Sequence, residues 1–263
     1  MCECTALGSL DSTKLIVHDT YSTPLLNTRK SDFVFIPKGW PLDSLNVVAV
    51  GEIRIQSSNG FSNAEVGHAV LFGEKVLQIQ PYRSFIYVLL TDCIDICIYK
   101  VTKANDVKSG NVFFSYERIS SQTLTFNTMS NPPTGWRYLV TIMECTHNDL
   151  GWINPSLNFD TDIINLVRSI NTGRTSIVYE GKNDDNKHVV VKIAKEYKYL
   201  PCFATEKNVL KKLSTINSPH LQKFLLDSEN ILVTTPLGSK INNLTKKGHW
   251  RYYQNSEDST FNL

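Results

Sequence analysis

The chain has 263 residues, 41% hydrophobic and 20% charged, with a formal net charge of +2 at neutral pH. This is an ordinary globular composition with room for one large domain or two modest ones, and so small a charge excess gives no general basis for nucleic-acid binding, which must come from local sites. The opening MCECTALGSLDSTK lacks the basic and apolar regions of a secretory signal, and the longest apolar run, FIYVLL at 85–90, is too short to span a bilayer, so a soluble protein without a membrane partner is expected.

In chain order, KLIVHD (14–19), DFVFI (32–36) and NVVAVGEIRI (46–55) read as strands separated by turn-formers such as Pro37, Lys38-Gly39 and Pro41. The period then changes. Ser62 and Glu65 form a capping-box pattern, Val66, Ala69, Val70, Gly73 and Leu77 recur at helical spacing, and Pro81 ends the helix. SFIYVLL (84–90) and IDICIYKV (94–101) follow as strands, giving β-β-β-α-β-β, a mixed sheet with a helix packed on it. FNTMSNPPTG (126–135) reads as a connector, and GWRYLVTIMECTHND (135–149) has helical spacing. A second block contains strands at 164–170, 175–182 and 188–195, a helix at 204–216, and the strands LQKFLLD and NILVTTP. The expected division is a first domain over 1–125, a linker with a connecting helix over 126–154, a second domain over 155–244 and an irregular tail over 245–263. The fold class is α/β (α+β).

Six cysteines suggest neither zinc nor disulfides. Cys2 and Cys4, and Cys93 and Cys97, lack the paired spacing of a zinc site, and without a secretory signal they read as reduced thiols. The sequon at Asn243 is a chance-level match for the same reason.

The first candidate site lies on two strands. Asp32 opens one and Glu52 sits late in the next, so pairing of the strands brings two carboxylates to one end of the sheet. Such a pair suits a hard divalent cation, Mg²⁺ or Mn²⁺, whose shell water and phosphate oxygens complete. Glu52 and Arg54 project from the same strand face, where a cation offsets charge developing on a phosphodiester. Gly51 removes a side chain where a phosphate backbone could approach. The competing reading is a plain Glu–Arg pair near a strand end.

The stretch from Lys14 to Val101 resembles the PD-(D/E)xK nuclease-type domain of crinkler-type proteins of fungi and oomycetes, often fused to a kinase-like region. HDT (18–20), SDFVFIPKG (31–39), VVAVGEIR (47–54) and GHAVLFGEKVLQIQPYR (67–83) carry the resemblance. It implies a restriction-endonuclease-like core that acts on DNA or RNA. Asp32 and Glu52 would bind the metal, Arg54 would stand at the E-x-K lysine, Gln80 would support the site, and Arg83 is a weaker candidate for phosphate contact. Ser31 replaces the Pro before Asp. Arg54 replaces Lys, and a guanidinium stabilises charge but does not trade a proton with water, so binding should survive better than turnover. The resemblance also implies action in a nucleus, although no leader segment is visible.

INTGRTSIVYEGK followed by HVVVKIAK resembles the small lobe of a protein kinase over about 160–240. The resemblance places Asn171, Gly173, Ser176 and Val178 on its glycine-rich loop, Lys192 at the phosphate-holding lysine and Glu206 as that lysine's partner. Weak ATP binding is implied. No H-R-D, D-F-G or A-P-E element follows residue 240, so kinase activity is not expected, and a protein partner could cover the lobe's underside. The lysines over 182–223, Lys195, Lys198, Lys207, Lys211 and Lys212 among them, read as a solvated face or as a contact for nucleic acid or an acidic partner. Two functions remain open: a metal-dependent nuclease-like protein with an incomplete kinase-like lobe, or an inactive pseudoenzyme that binds nucleotide or protein.

Overall fold

Apolar β-formers build the first sheet. The computed structural model describes residues 13–23, 25–26, 30–57, 60–105, 112–125, 134–216, 218 and 221–237. β1 (Leu15–Asp19), β2 (Phe33–Pro37) and β3 (Ala49–Ile53) pair antiparallel in succession. α1 (Asn63–Ile79) then crosses the sheet so that β4 (Phe85–Thr91) runs parallel to β3. β5 (Asp95–Asn105) and β6 (Val112–Thr123) complete a mixed sheet of order β1-β2-β3-β4-β5-β6.

The rest of the chain supplies α2 (Thr134–Glu144), β7 (Ser156–Asn158), β8 (Ile163–Thr172), β9 (Ser176–Lys182), β10 (His188–Ala194), α3 (Leu200–Leu213), β11 (Lys223–Asp227) and β12 (Ile231–Thr235). These strands form a second sheet, antiparallel throughout, of order β11-β12-β10-β9-β8-β7. The class is therefore mixed α/β, with twelve strands in two sheets and three helices among the described residues.

α1 begins where its capping box requires. The Ser62 hydroxyl accepts from the Glu65 N–H at 3.3 Å, and the Glu65 carboxylate accepts from the Ser62 N–H at 2.6 Å. Its apolar residues pack on Val34, Val50 and Val88 of the sheet. Gly73 lies so close to β4 that a Cβ there would come within 2.7 Å of Val88. The alternate residues Phe35, Ala49 and Leu89 point to the opposite face, where Ile142 of α2, Leu150 and Trp152 cover them. The segment expected to be a linker is thus, where described, one layer of the first unit.

The second sheet is not detached from this unit. Tyr179, Val191 and Val233 share one apolar core with Leu77 and Val88, and the Tyr179 hydroxyl donates to Ile79 O at 2.6 Å.

Several expected boundaries move. β3 is shorter than 46–55 because a 3-10 turn takes Ser44–Asn46 and the ladder with β2 begins at Ala49. β6 was not anticipated, since most of its side chains are exposed and show no alternating apolar face. α2 stops at Glu144, and the Asp149 carboxylate then closes a turn on the Thr146 N–H and hydroxyl. α3 starts at Leu200, four residues early, because Pro201 in a first turn needs no hydrogen bond from its nitrogen. Most of the expected connector, the tail, Cys2, Cys4 and Asn243 lie outside the described residues.

Arg83 fastens the first unit. It is 1% exposed, and its five N–H donors reach Phe85 O, Val47 O, Gln80 Oε1, Val48 O and Leu150 O at 2.5–3.0 Å. Arg83→Met would remove all five hydrogen bonds from these buried acceptors, of which Val47 O keeps the Gln80 amide as a donor, and urea unfolding should show a loss of about 3 kcal/mol or more. Gly51 pairs with Phe33, and a Cβ at Gly51 would lie 2.0 Å from the Phe33 ring. Gly51→Ala should therefore cost about 1–3 kcal/mol. Adding Phe33→Ala should recover most of that overpacking term in a double-mutant cycle.

Candidate active site

The β2–β3 register decides where the acidic residues meet. Phe33 pairs with Gly51, so Asp32 and Glu52 lie at the same end of the two strands. The Asp32 carboxylate accepts the Ile53 N–H at 2.7 Å, which fixes it beside the last residues of β3. Glu52 is 1% exposed and faces α1, whose N-terminal half the crossover brings back over this end of the sheet.

Arg54 connects the two acids. One terminal nitrogen forms an ion pair with Glu52 Oε1, and the other lies 3.7 Å from Asp32 Oδ2 while donating to Ile53 O at 2.8 Å. Its backbone N–H is held by Thr91 O at 2.8 Å. His68 on α1 completes the group, with Nδ1 3.3 Å from Glu52 Oε1 and 3.2 Å from the Arg54 guanidinium. Its ring meets Phe72 edge-on at 5.1 Å, one turn along the helix.

Burial pushes the Glu52 carboxyl from 4.5 up to about 7; the nearby Asp32 charge adds to the rise and Arg54 opposes it. Glu52 therefore changes charge near neutral pH, as an acid or base must to act there. An open cleft of about 670 Å³ adjoins the site, lined by Val17, Tyr21, Phe33 and Ile53 together with Asp32 and Arg54.

The donor chemistry fits a hard divalent cation. Glu52 Oε2 is buried without a hydrogen-bond partner, as an acceptor awaiting a cation or proton would be. Among the described residues no group of three or more His, Cys, Asp or Glu side chains could hold a metal. A cation here would rest on two carboxylates with water and substrate oxygens, an arrangement common for Mg²⁺.

Sequence reasoning thus named three of the residues brought together and missed His68. The signal for it was the crossover itself, which returns the first turns of α1 above the end of β3. Other assignments need correcting. Gln80 sits at the far end of α1, where its amide donates to Ser44 O, Leu45 O and Val47 O at 2.8–3.0 Å. Arg83 beside it is enclosed, so neither residue reaches the carboxylates or a phosphate. Gly51 leaves no space for a phosphate backbone, because Phe33 occupies it.

In the second sheet, Lys192 on β10 and Glu206 on α3 form an ion pair, and Val178 on β9 is the direct cross-strand partner of Lys192. Gly173 closes the β8–β9 hairpin, and its N–H is committed to Ser176 O at 2.9 Å rather than free for a phosphate.

Residues 1–83 match a family described as a domain of unknown function (DUF6826). The match spans Asp32, Glu52, Arg54 and His68 and ends at Arg83. No curated protein matches the chain. Among the described residues no helix is long and apolar enough to cross a membrane.

Because the folded pKa of Glu52 lies above its unfolded value, the folded state holds the extra proton between pH 4.5 and about 7. The stability this proton provides is complete below pH 4.5 and is lost as pH rises through 7. Relative to Glu52→Gln, the wild type should lose on the order of 3 kcal/mol across that window in chemical denaturation. A pH-independent difference would contradict the raised pKa.

Proposed function

We propose that the chain is a crinkler-type protein whose first unit is a PD-(D/E)xK nuclease-like domain acting on nucleic-acid phosphodiesters. The restriction-endonuclease-like core would comprise β1–β5 with α1, and the second sheet with α3 would be a kinase-like small lobe. The observation that carries the reading is the convergence of Asp32 and Glu52 beside Arg54, at the end of a strand that leads into a helical crossover.

Asp32 and Glu52 would hold Mg²⁺ or Mn²⁺, which when bound lowers the pKa of a water and polarises the phosphate. Ile53 N–H keeps Asp32 oriented through its hydrogen bond. Arg54, released from the acids, carries a forked cation suited to phosphate oxygens. His68 is within reach of Glu52 and supplies a group able to exchange protons, which Arg54 does not.

The second reading, a pseudoenzyme that binds nucleotide or protein, draws on two observations. The cation beside the acids is an arginine, which does not trade a proton with water, and the Gly173 N–H donates to Ser176 O. Weak ATP contact through Lys192, Val178 and Glu206 belongs to this reading, as does a protein partner on the second sheet.

Incubation of the protein with plasmid DNA and with RNA, with Mg²⁺, Mn²⁺ or EDTA, separates the two. Metal-dependent cleavage should be abolished by Glu52→Ala, a loss of at least a hundredfold, and raised several-fold by Arg54→Lys. Cleavage that survives Glu52→Ala would refute the assignment.

A further inference from the structure

The arrangement around Glu52 goes beyond a pair of metal ligands, because a positive group already lies across them. The two terminal nitrogens of Arg54 are divided between the acids, one paired with Glu52 and the other 3.7 Å from Asp32. We infer that the Arg54 guanidinium is the resident cation of the Asp32–Glu52 site and competes with a divalent ion for it. This rests on the reading of these acids as a metal site and adds how the site is occupied and opened.

Three observations carry the inference. Glu52 is almost wholly buried beside a second carboxylate, an arrangement that needs a counter-charge, and Arg54 provides it from two residues along the chain. Arg54 lies beyond the end of β3 and its side chain is about a third exposed, so it can leave without breaking the strand ladder. The 670 Å³ cleft beside it is lined in part by Arg54 itself and gives the side chain somewhere to go. A divalent ion between the same oxygens would meet the guanidinium charge at close range, where like charges repel strongly. Entry of the ion therefore turns Arg54 out towards the cleft, where its fork can engage a phosphate.

Arg54 thus sets the threshold for metal entry. It holds the acids together without metal, with one nitrogen of its fork towards each, whereas a lysine would meet them with a single point charge.

The test is isothermal titration of the full chain with MnCl₂ and with MgCl₂, for wild type, Arg54→Gln, Arg54→Lys and Arg54→Gln/Glu52→Gln. Circular dichroism confirms that each variant is folded. Arg54→Gln should bind one Mn²⁺ per chain at least tenfold more tightly than wild type, and Arg54→Lys should fall between them. The double variant should lose the site. Equal or weaker binding by Arg54→Gln than by wild type overturns the competition and leaves the metal site standing; if Arg54→Gln does not fold, Arg54→Lys binding no tighter than wild type does the same. No uptake by wild type, Arg54→Gln or Arg54→Lys overturns the metal site and the competition together.

Discussion

A fully enclosed guanidinium holds the first unit of this protein in register. Arg83 has no carboxylate among its hydrogen-bond partners. Instead it places five donors on five neutral oxygens drawn from the end of α1, the approach to β3, the start of β4 and the loop after α2. Burial lowers its pKa, yet arginine is the side chain best able to stay charged in such a place. The geometry is informative because one planar group joins its own neighbourhood at Gln80 and Phe85 to Val47–Val48 and to Leu150, two segments remote in sequence. Lys103 repeats the device at smaller scale, donating to Leu77 O, Gln80 O and Pro81 O at 2.8–3.2 Å. Burial first, and then the Arg83 charge, pulls this lysine down to about 8. Two cations therefore sit at the C-terminal end of α1, where the helix dipole favours them.

The other end of α1 carries the proposed site, and the two ends are tuned differently. At the C-terminal end every donor and acceptor named is matched. At the N-terminal end Glu52 keeps one oxygen without a partner, and its raised pKa measures how incompletely Arg54 offsets burial beside Asp32. Buried carboxylates left in that state are costly, and a stable scaffold is what lets one persist. The separation follows from the β3–α1–β4 crossover. One end of β3 is stapled by Arg83 and Gln80, so the opposite end can hold strained electrostatics without the sheet giving way.

Much of this was legible in the sequence because it depends on local rules. The capping box at Ser62 and Glu65, the apolar period of α1 and the β-branched runs of β2 and β3 fixed the first unit's elements closely. The meeting of Asp32 and Glu52 followed from one added assumption, that their strands pair. What stayed hidden depended on contacts remote in sequence. Nothing near Arg83 marks it as internal, since its acceptors include Leu150, sixty-seven positions away. Gln80 entered as a site residue through the resemblance alone, and it lies at the end of α1 away from the acids. Gly51 invited a phosphate because the ring that fills its space comes from the neighbouring strand. β6 was missed because an edge strand with mostly exposed side chains has no apolar period to detect.

The second sheet bears on function through its attachment as well as its residues. Tyr179 reaches across to Ile79 O, and the apolar cores of the two sheets are continuous around α1. The sheet is thus a second wall for the helix that presents His68 to Glu52. Within it, Lys192 pairs with Glu206, and Val178 lies opposite the lysine. A phosphate arriving there would find a hairpin glycine whose amide is spent on Ser176. At the first site the buried oxygen of Glu52 is unpartnered and the nearby cation is about a third exposed, so an incoming ligand has something to gain. By that comparison, the proposed chemistry is better placed at Asp32, Glu52, Arg54 and His68 than in the second sheet, which packs against the helix that carries His68.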